Sequence, residues 1–508
     1  MLSHSADACG QLAYPVLCLS AFFFFLQYCR RFISRSRLVR LRGCQPPARY
    51  THTEPFFGLD SLYDSIKSRK ANKYCLREQQ LHYDLGNTYT SVLLGSRVVN
   101  TLEPENLEAV FSTNFSDYEV GFRRRNAFQP LFGNSIFQSD GARWQMLREL
   151  LLACFSRAQT SQLELFELHA QNLLAAFPPD MHVFDLALFF HRYAADVSTE
   201  FLFGESIGSL QNPKNLEQGF LKAFGDAQSG CEFRWLLGRL TAIWPQPTLT
   251  KNVRITHTFI QRYVEAALHR ENLRNSKPSG DRDDTRILFI DQLGQKTQDR
   301  KAIQDEVMTL FFAGTDAMAA LLVNMFFVFS KRPDVWDRLR LEVQQLDGKV
   351  PSLKQLKGLQ YVQDCIREGT MLMAPLGFFH VVAVRDTILP TGGGPGGTSP
   401  VFVRKDTIVH FSTYALHRRK DLWGDDAEEF RPERWSFEKQ TWKYIPFLKG
   451  PRNCIGMDFA LNEAAYLVVR LAQNIETIKS EDPSDWVESS GIALESKNGI
   501  KVSIVRST

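Results

Sequence analysis

Cys454 lies in the stretch YIPFLKGPRNCIGMDFALNEAAYLVVR, between Gly450 and Gly456, just after Arg452 and just before a long helical pattern. A free cysteine is usually a small buried hydrophobe, and read alone Cys454 fits that role. Its neighbours allow another one. Glycines on both sides let backbone N–H groups approach the sulfur, and the start of a helix adds positive potential that favours a thiolate. A zinc site is disfavoured, because no second or third ligand stands at zinc spacing from Cys454. Trp144 and Arg148, in GARWQMLRELLLACFSR, lie four residues apart and so share one helical face. Asp316 interrupts the apolar run LFFAGTDAMAALL, directly after Ala313, Gly314 and Thr315.

These residues need a large scaffold, and 508 residues can bury one. The 39 phenylalanines suit an extensive apolar interior, and the net charge of +4 gives no reason to expect nucleic acid. Nine scattered cysteines without a C-x-x-C pair read as reduced thiols. Apolar residues recur at helical spacing in SQLELFELHAQNLLAAF, in PDVWDRLRLEVQQL and in DEVMTLFFAGTDAMAALLVNMFFVFSK. The last is apolar nearly all round, which predicts a central buried helix. HVVAVRDTIL and VFVRKDTIVHFST read as strands flanking a hairpin tip, TGGGPGGTSP (391–400), and NSKPSGDRDDT (275–285) reads as a polar loop. The expected class is mainly α with a minor β-sheet region.

The N-terminus carries an apolar run without charge from Ala8 to Cys29, near the ~20 residues that a membrane-spanning helix needs. Arginines at 30, 31, 35, 37, 40 and 42 follow it, so this flank is expected on the cytosolic side. Against a cleaved signal peptide, the basic charge follows the apolar run and no small-residue cleavage site comes after it. The expected organisation is a transmembrane anchor at 8–29, a basic, proline-containing linker at 30–50 in which GCQPPARY (43–50) acts as a stiff hinge, and a catalytic body at 51–508.

Phe447, Gly450, Arg452, Cys454 and Gly456 fit F-x-x-G-x-R-x-C-x-G, five fixed residues across ten positions. This resembles the haem-binding loop of the cytochrome P450 family. GARWQMLRELLLACFSR resembles the family's W-x-x-x-R helix, EEFRPERW (428–435) its P-E-R segment, and LFFAGTDAMAALL its distal helix. STEFLFGESIGSL (198–210) and the glycine-rich hairpin resemble the fungal branch that hydroxylates alkanes and fatty acids. The resemblance implies the P450 fold and haem b, with Cys454 as axial thiolate. It implies that Phe447 packs on the sulfur side, that Trp144, Arg148 and Arg452 reach the propionates, and that Ala313 and Gly314 form the groove where oxygen binds. It further implies oxygen insertion into an apolar, lipid-like or secondary-metabolite substrate, with electrons from NADPH through a separate reductase. That partner would dock beside Cys454, where Lys449 is a candidate contact, and the anchor would lie in the endoplasmic reticulum membrane with the body in the cytosol.

The chain departs from the family in three places. The family continues A-G-x-D/E-T-T/S, whereas Ala317 follows Asp316 here. In the family that threonine holds a water that helps protonate bound oxygen, and general acid help of this kind is worth roughly 10²–10⁴-fold. Asp316 is then the expected catalytic residue, while Thr315, about 100° round the helix, is expected to point elsewhere. Met371 stands where E-x-x-R has its arginine, which leaves Glu368 and Arg434 as a two-member network. Val381 stands at a branch-typical propionate arginine, and its strand neighbour His380 faces the other way. Three readings stay open on these residues: a monooxygenase with a rearranged proton relay, a haem-thiolate isomerase or dehydratase, and an impaired haem binder.

Overall fold

The computed structural model describes residues 4–158, 162–212, 219–276, 288–489 and 491–507, with side chains from Leu19 onward except at Arg157, Ala158, Arg239 and Ala242. The helices that bear on function are α1 (His4–Leu41), α2 (Gly121–Phe132), α3 (Gly141–Ala158), α4 (Leu186–Phe203), α5 (Phe220–Leu237), α6 (Arg300–Lys331), α7 (Gln360–Leu372) and α8 (Met457–Asn474).

The expected central helix is α6. The Asp299 carboxylate caps it, accepting the N–H groups of Lys301 and Ala302 at 2.9 and 3.2 Å. By length and composition α6 could cross a membrane, but 72% of its most apolar window is buried, which makes it a core helix. Its first half, Ile303–Phe312, packs on Phe128, Leu131 and Phe132 of α2 and on Phe220 and Phe224 of α5. Its second half, from Met318, packs on Phe190, Tyr193 and Val197 of α4, Ile366 of α7 and Leu467 of α8. The two cores part between Phe312 and Met318. There Ala313 is exposed and Gly314, Asp316 and Ala317 are half-buried.

The strands form three small sheets. β1 (Ala48–Arg49), β2 (Thr88–Leu93), β3 (Ser96–Thr101), β4 (Tyr118–Glu119), β6 (Phe378–Ala383) and β9 (Ile408–Ser412) make one, in the order β1-β2-β3-β9-β6-β4. β10 (Ile475–Ser480), β11 (Lys501–Arg506) and β5 (Phe184–Asp185) make the second, and β7 (Thr387–Gly393) pairs with β8 (Ser399–Val403) in the third. The expected hairpin around 391–400 is present. The two flanking runs are four strands rather than two, because β6 and β9 leave the hairpin to join the large sheet. Of the polar stretch 275–285, Asn275 ends a helix that begins at Pro247, and residues 277–287 lie outside the described residues.

The expected linker at 30–50 continues the N-terminal helix and then lies against the body. It is helical to Leu41, and Arg35 pairs with Asp386 at 2.6 Å. Beyond the helix, Gln45 donates its N–H to Pro400, Pro46 accepts from Gly394, and Ala48–Arg49 add a parallel strand beside Tyr89–Thr90.

Glu368 is fully buried and does pair with Arg434, at 3.0 Å. The network is fuller than two members. Arg431 donates its backbone N–H to Glu368 at 2.8 Å, and Trp435 donates Nε1–H at 2.9 Å. Arg434 also donates to the carbonyls of Asp426 and Glu429. Met371 is buried in the same core, with its carbonyl oxygen 2.8 Å from His417 Nδ1. Gly369 explains itself too: a Cβ there would stand 2.7 Å from Met325 Cγ, so the glycine lets α7 approach α6.

Because both Glu368 oxygens already have donors, Met371→Arg would bury a cation with no acceptor. We expect the variant to lose about 3 kcal/mol. A lower midpoint of thermal unfolding than wild type is the result expected, and an unchanged or higher midpoint would contradict this account.

Candidate active site

Cys454 is held by backbone geometry. Its N–H donates to the Phe447 carbonyl at 2.8 Å, and the Asn453 N–H donates to Gly450. Gly450 has φ +71°, and a Cβ there would lie 1.8 Å from the Phe111 carbonyl oxygen. Only glycine fits that position, but the reason is the neighbouring backbone rather than the sulfur. Gly456 does act at the sulfur: its N–H hydrogen-bonds Cys454, one residue before α8 begins. Cys454 itself is exposed, and yet the surrounding protein mass desolvates it and pushes its thiol pKa up, with the Gly456 N–H and the Arg148 charge opposing. The sequence expectation of a lowered pKa is therefore not met by the protein alone. Deprotonation is left to a bound metal, which removes a coordinating thiol's proton outright.

The expected anchors converge on this loop. Arg148 donates Nη1–H to the Asn453 carbonyl at 2.9 Å and bonds the Asn453 side chain as well. Trp144 is buried against Phe115, and the Arg452 guanidinium stacks 4.7 Å from the Trp144 ring centroid. Arg452 also donates to the Ser139 carbonyl and pairs with Asp140. Phe447 is half-buried. Lys449 donates to the carbonyls of Gln440 and Thr441 at 2.9 and 2.6 Å, so two of its three donors are committed within its own loop.

On the other wall, α6 is helical without a break through Ala313 and Gly314. Ala313 is open as expected. Gly314 has a further task, since a Cβ there would come within 3.0 Å of Ser198 Oγ on α4. Asp316 accepts a hydrogen bond from Gln228 and lies near His191, and burial pushes its pKa up to about 6. Thr315 is buried, and its hydroxyl has no partner among the described residues.

Val381 packs in an apolar cluster with Phe111 and Phe411, and His380 is buried against Trp235 at a ring separation of 4.1 Å. Neither offers a cation to an anionic group.

Arg124 on α2 does. Its guanidinium lies 3.5 Å from the centroid of Phe137, its Nε has no hydrogen-bond partner, and it makes no ion pair among the described residues. Burial and the nearby Arg452 lower its pKa to about 9. The nearby carboxylate, Asp140, is already shared by Arg125 and Arg452. Phe137 in turn meets Phe312, next to Ala313, at 5.9 Å. Arg124 thus stands between Arg452 of the cysteine loop, whose charge it feels, and Phe137, which meets Phe312 beside the open stretch of α6.

The Cytochrome P450 family model matches residues 55–502. The cytochrome P450 monooxygenase himC of Aspergillus japonicus is 38% identical over 464 residues, covering 91% of this chain and 84% of its own. The cytochrome P450 monooxygenase fsdH of Fusarium heterosporum is 37% identical, covering 94% and 85%. Cytochrome P450 52A3-B of Candida maltosa is 34% identical, covering 92% of each. The chain belongs to the cytochrome P450 family, a family of oxygenases that hold haem through a cysteine thiolate.

The residues present fit that group. An accessible cysteine with an N–H aimed at its sulfur suits an iron ligand. A buried arginine with an orphaned Nε, beside two more arginines already paired with Asp140 and Glu119, lacks an anion of its own, and a propionate is one. Sequence reasoning missed Arg124 because Arg123-Arg124-Arg125 reads as an exposed basic run. It also missed Trp435, His191 and Glu232, which no motif marks.

Arg124→Gln should lower the haem-to-protein ratio retained after mild heating several-fold, while Arg124→Lys keeps most of it. Equal retention in all three proteins would mean that Arg124 holds no propionate.

Proposed function

We propose that this chain is a membrane-anchored haem-thiolate monooxygenase that hydroxylates a small molecule with a long apolar portion, as in fungal secondary or lipid metabolism. The observation that carries the reading is Cys454: accessible, desolvated and bonded by the Gly456 N–H just before α8. Haem would be held by Cys454 and by Arg124, with Trp144, Arg148, Phe447, Gly450, Arg452 and Gly456 shaping that side and Ala313 and Gly314 opening the other. When bound, it supplies the electron-rich iron that cleaves dioxygen. The chain's own part is to hold the substrate over that iron, exclude bulk water and deliver protons. Asp316 and Thr315 are the groups on α6 placed to relay a proton, with Gln228 orienting the Asp316 carboxylate.

Electrons from NADPH would come through a separate reductase docking near Cys454. The partial commitment of Lys449 shifts that contact toward other cations of this face. Location in the endoplasmic reticulum membrane, with residues 8–29 as the anchor and the body in the cytosol, is supported by α1. Phe22, Phe23, Phe24 and Phe25 are consecutive and all exposed, so apolar surface runs right round the helix with no protein over it. Phe57, Ile243 and Trp244 expose further apolar surface on the body.

Ala317 favours a second reading. This position lies on the open stretch and offers no hydroxyl, which suits an isomerase or dehydratase that starts from a lipid peroxide and needs no proton delivery to oxygen. The two readings separate on cosubstrate. With reductase, NADPH and oxygen, the monooxygenase forms hydroxylated product from an apolar chain, and Ala317→Thr raises product formed per NADPH consumed, by at most roughly the 10²–10⁴-fold that a positioned acid supplies. Turnover of a lipid hydroperoxide without NADPH, and none with it, would overturn the first reading in favour of the second.

A further inference from the structure

Two cavities lie beneath α5. One, of about 130 Å³, is lined mainly by rings and aliphatic groups, among them Phe128, Phe137, Trp235, Phe379 and Ile492. The other, of about 530 Å³, has a wall of a different kind: His191, Gln228, Glu232, Thr315, Asp316 and Glu495 line it. Glu232, Gly491 and Ile492 line both, so the apolar chamber meets the polar one at Glu232.

The polar chamber carries three carboxyl groups, those of Glu232, Asp316 and Glu495, against one imidazole among its described residues. His191 pairs with Glu495 at 3.0 Å, which uses the one cation of this wall. Asp316 has the Gln228 amide, and Glu232 has the Ile492 N–H. Burial pushes Glu232 up to about 7, with the Asp316 charge adding to the rise, and pushes Asp316 up to about 6. Independently of the acids, Thr315 is only 6% exposed, lines this chamber, and carries a hydroxyl with no partner. A buried polar group left unpaired is costly, and a ligand that completes it is favoured.

Two arginines, Arg69 and Arg124, line the apolar chamber, and neither lines the polar one. Arg69 lies 3.9 Å from the Tyr74 ring centroid and offsets the charge of Glu232. Arg124 faces the haem side through Arg452, as described above.

We propose that the substrate couples its apolar chain to a neutral head bearing N–H groups, such as an amide, which donates to Glu232 and Asp316 and meets the Thr315 hydroxyl, and that this chamber rejects a free fatty carboxylate. A polar site of this kind discriminates strongly, because an anion leaves its acceptors unpaired and adds like-charge repulsion. The inference deepens the monooxygenase reading and rests on it for the reaction, but not for the binding.

Isothermal titration of the full chain in lipid nanodiscs, with dodecanamide and with dodecanoate at about pH 8.5, where both Glu232 and Asp316 are ionised, tests it. These probes match in length and nearly in shape, and differ in donating N–H against negative charge. The amide should bind at least ~10-fold more tightly. Glu232→Gln, which removes the charge and can itself donate, should bring the two affinities to within ~3-fold, and Asp316→Asn should shift them the same way. Dodecanoate binding as tightly as the amide in wild type, or discrimination undiminished in both variants, would overturn the proposal. A carbon monoxide difference spectrum of the same preparations separates the two claims. Lost haem with discrimination intact would contradict the enzyme reading and support this one, whereas intact haem with dodecanoate preferred would overturn this one alone.

Discussion

An apolar helix of 32 residues loses stability wherever its surface is left open, at about 25 cal/mol for each Å² of apolar area. Helix α6 is packed at both ends by two separate cores and left open where they part. The open stretch carries Ala313, Gly314 and Ala317, the smallest side chains available, so the gap exposes little apolar area and leaves the most room. The candidate site follows from that arrangement. The two cores do not meet there, and Phe137 and Phe312 pack against each other beside the open stretch.

The opposite wall is fixed by backbone rather than by side-chain packing. Phe447 and Cys454 are tied through the main chain, and Gly450 lies too close to the Phe111 carbonyl for any other residue. A loop constrained in this way presents its sulfur at a set place whether or not anything is bound. Preorganisation of that kind lowers the ordering cost of binding a large planar cofactor. The charge follows the same logic. Arginines 124, 125 and 452 gather near Asp140 and Glu119, an excess of positive charge that a folded chain tolerates where an anion completes it.

How much of this could be read from the sequence depends on how local each signal is. The cysteine loop, the W-x-x-x-R helix and α6 were legible, because their spacing is set within one turn or one helix. The Glu368 network was half legible. Glu368 and Arg434 belong to known motifs, but Trp435 takes the place of a lost donor only through tertiary packing, and nothing in its spacing to Met371 says so. Gly369 looked like a flaw in a helix until Met325 appeared 2.7 Å from where its Cβ would be. The proline-containing stretch looked like a hinge because its composition is that of one, whereas its pairing with Tyr89–Thr90 is a long-range contact that composition cannot carry. Arg124 and Glu232 were hidden for the same reason. A charged residue on a helix reads as solvated, and only the fold shows which charges face inward.

The central claim is that Cys454 presents a thiolate to haem iron despite the changes at Ala317, Met371 and Val381. The most direct measurement is the carbon monoxide difference spectrum of the reduced, membrane-bound wild-type protein. The account predicts a Soret maximum at about 450 nm, the position of a thiolate-bound complex, in the protein as isolated. A maximum at about 420 nm, or no haem signal at all, would contradict it and would mean that the loop and its arginines no longer hold an iron.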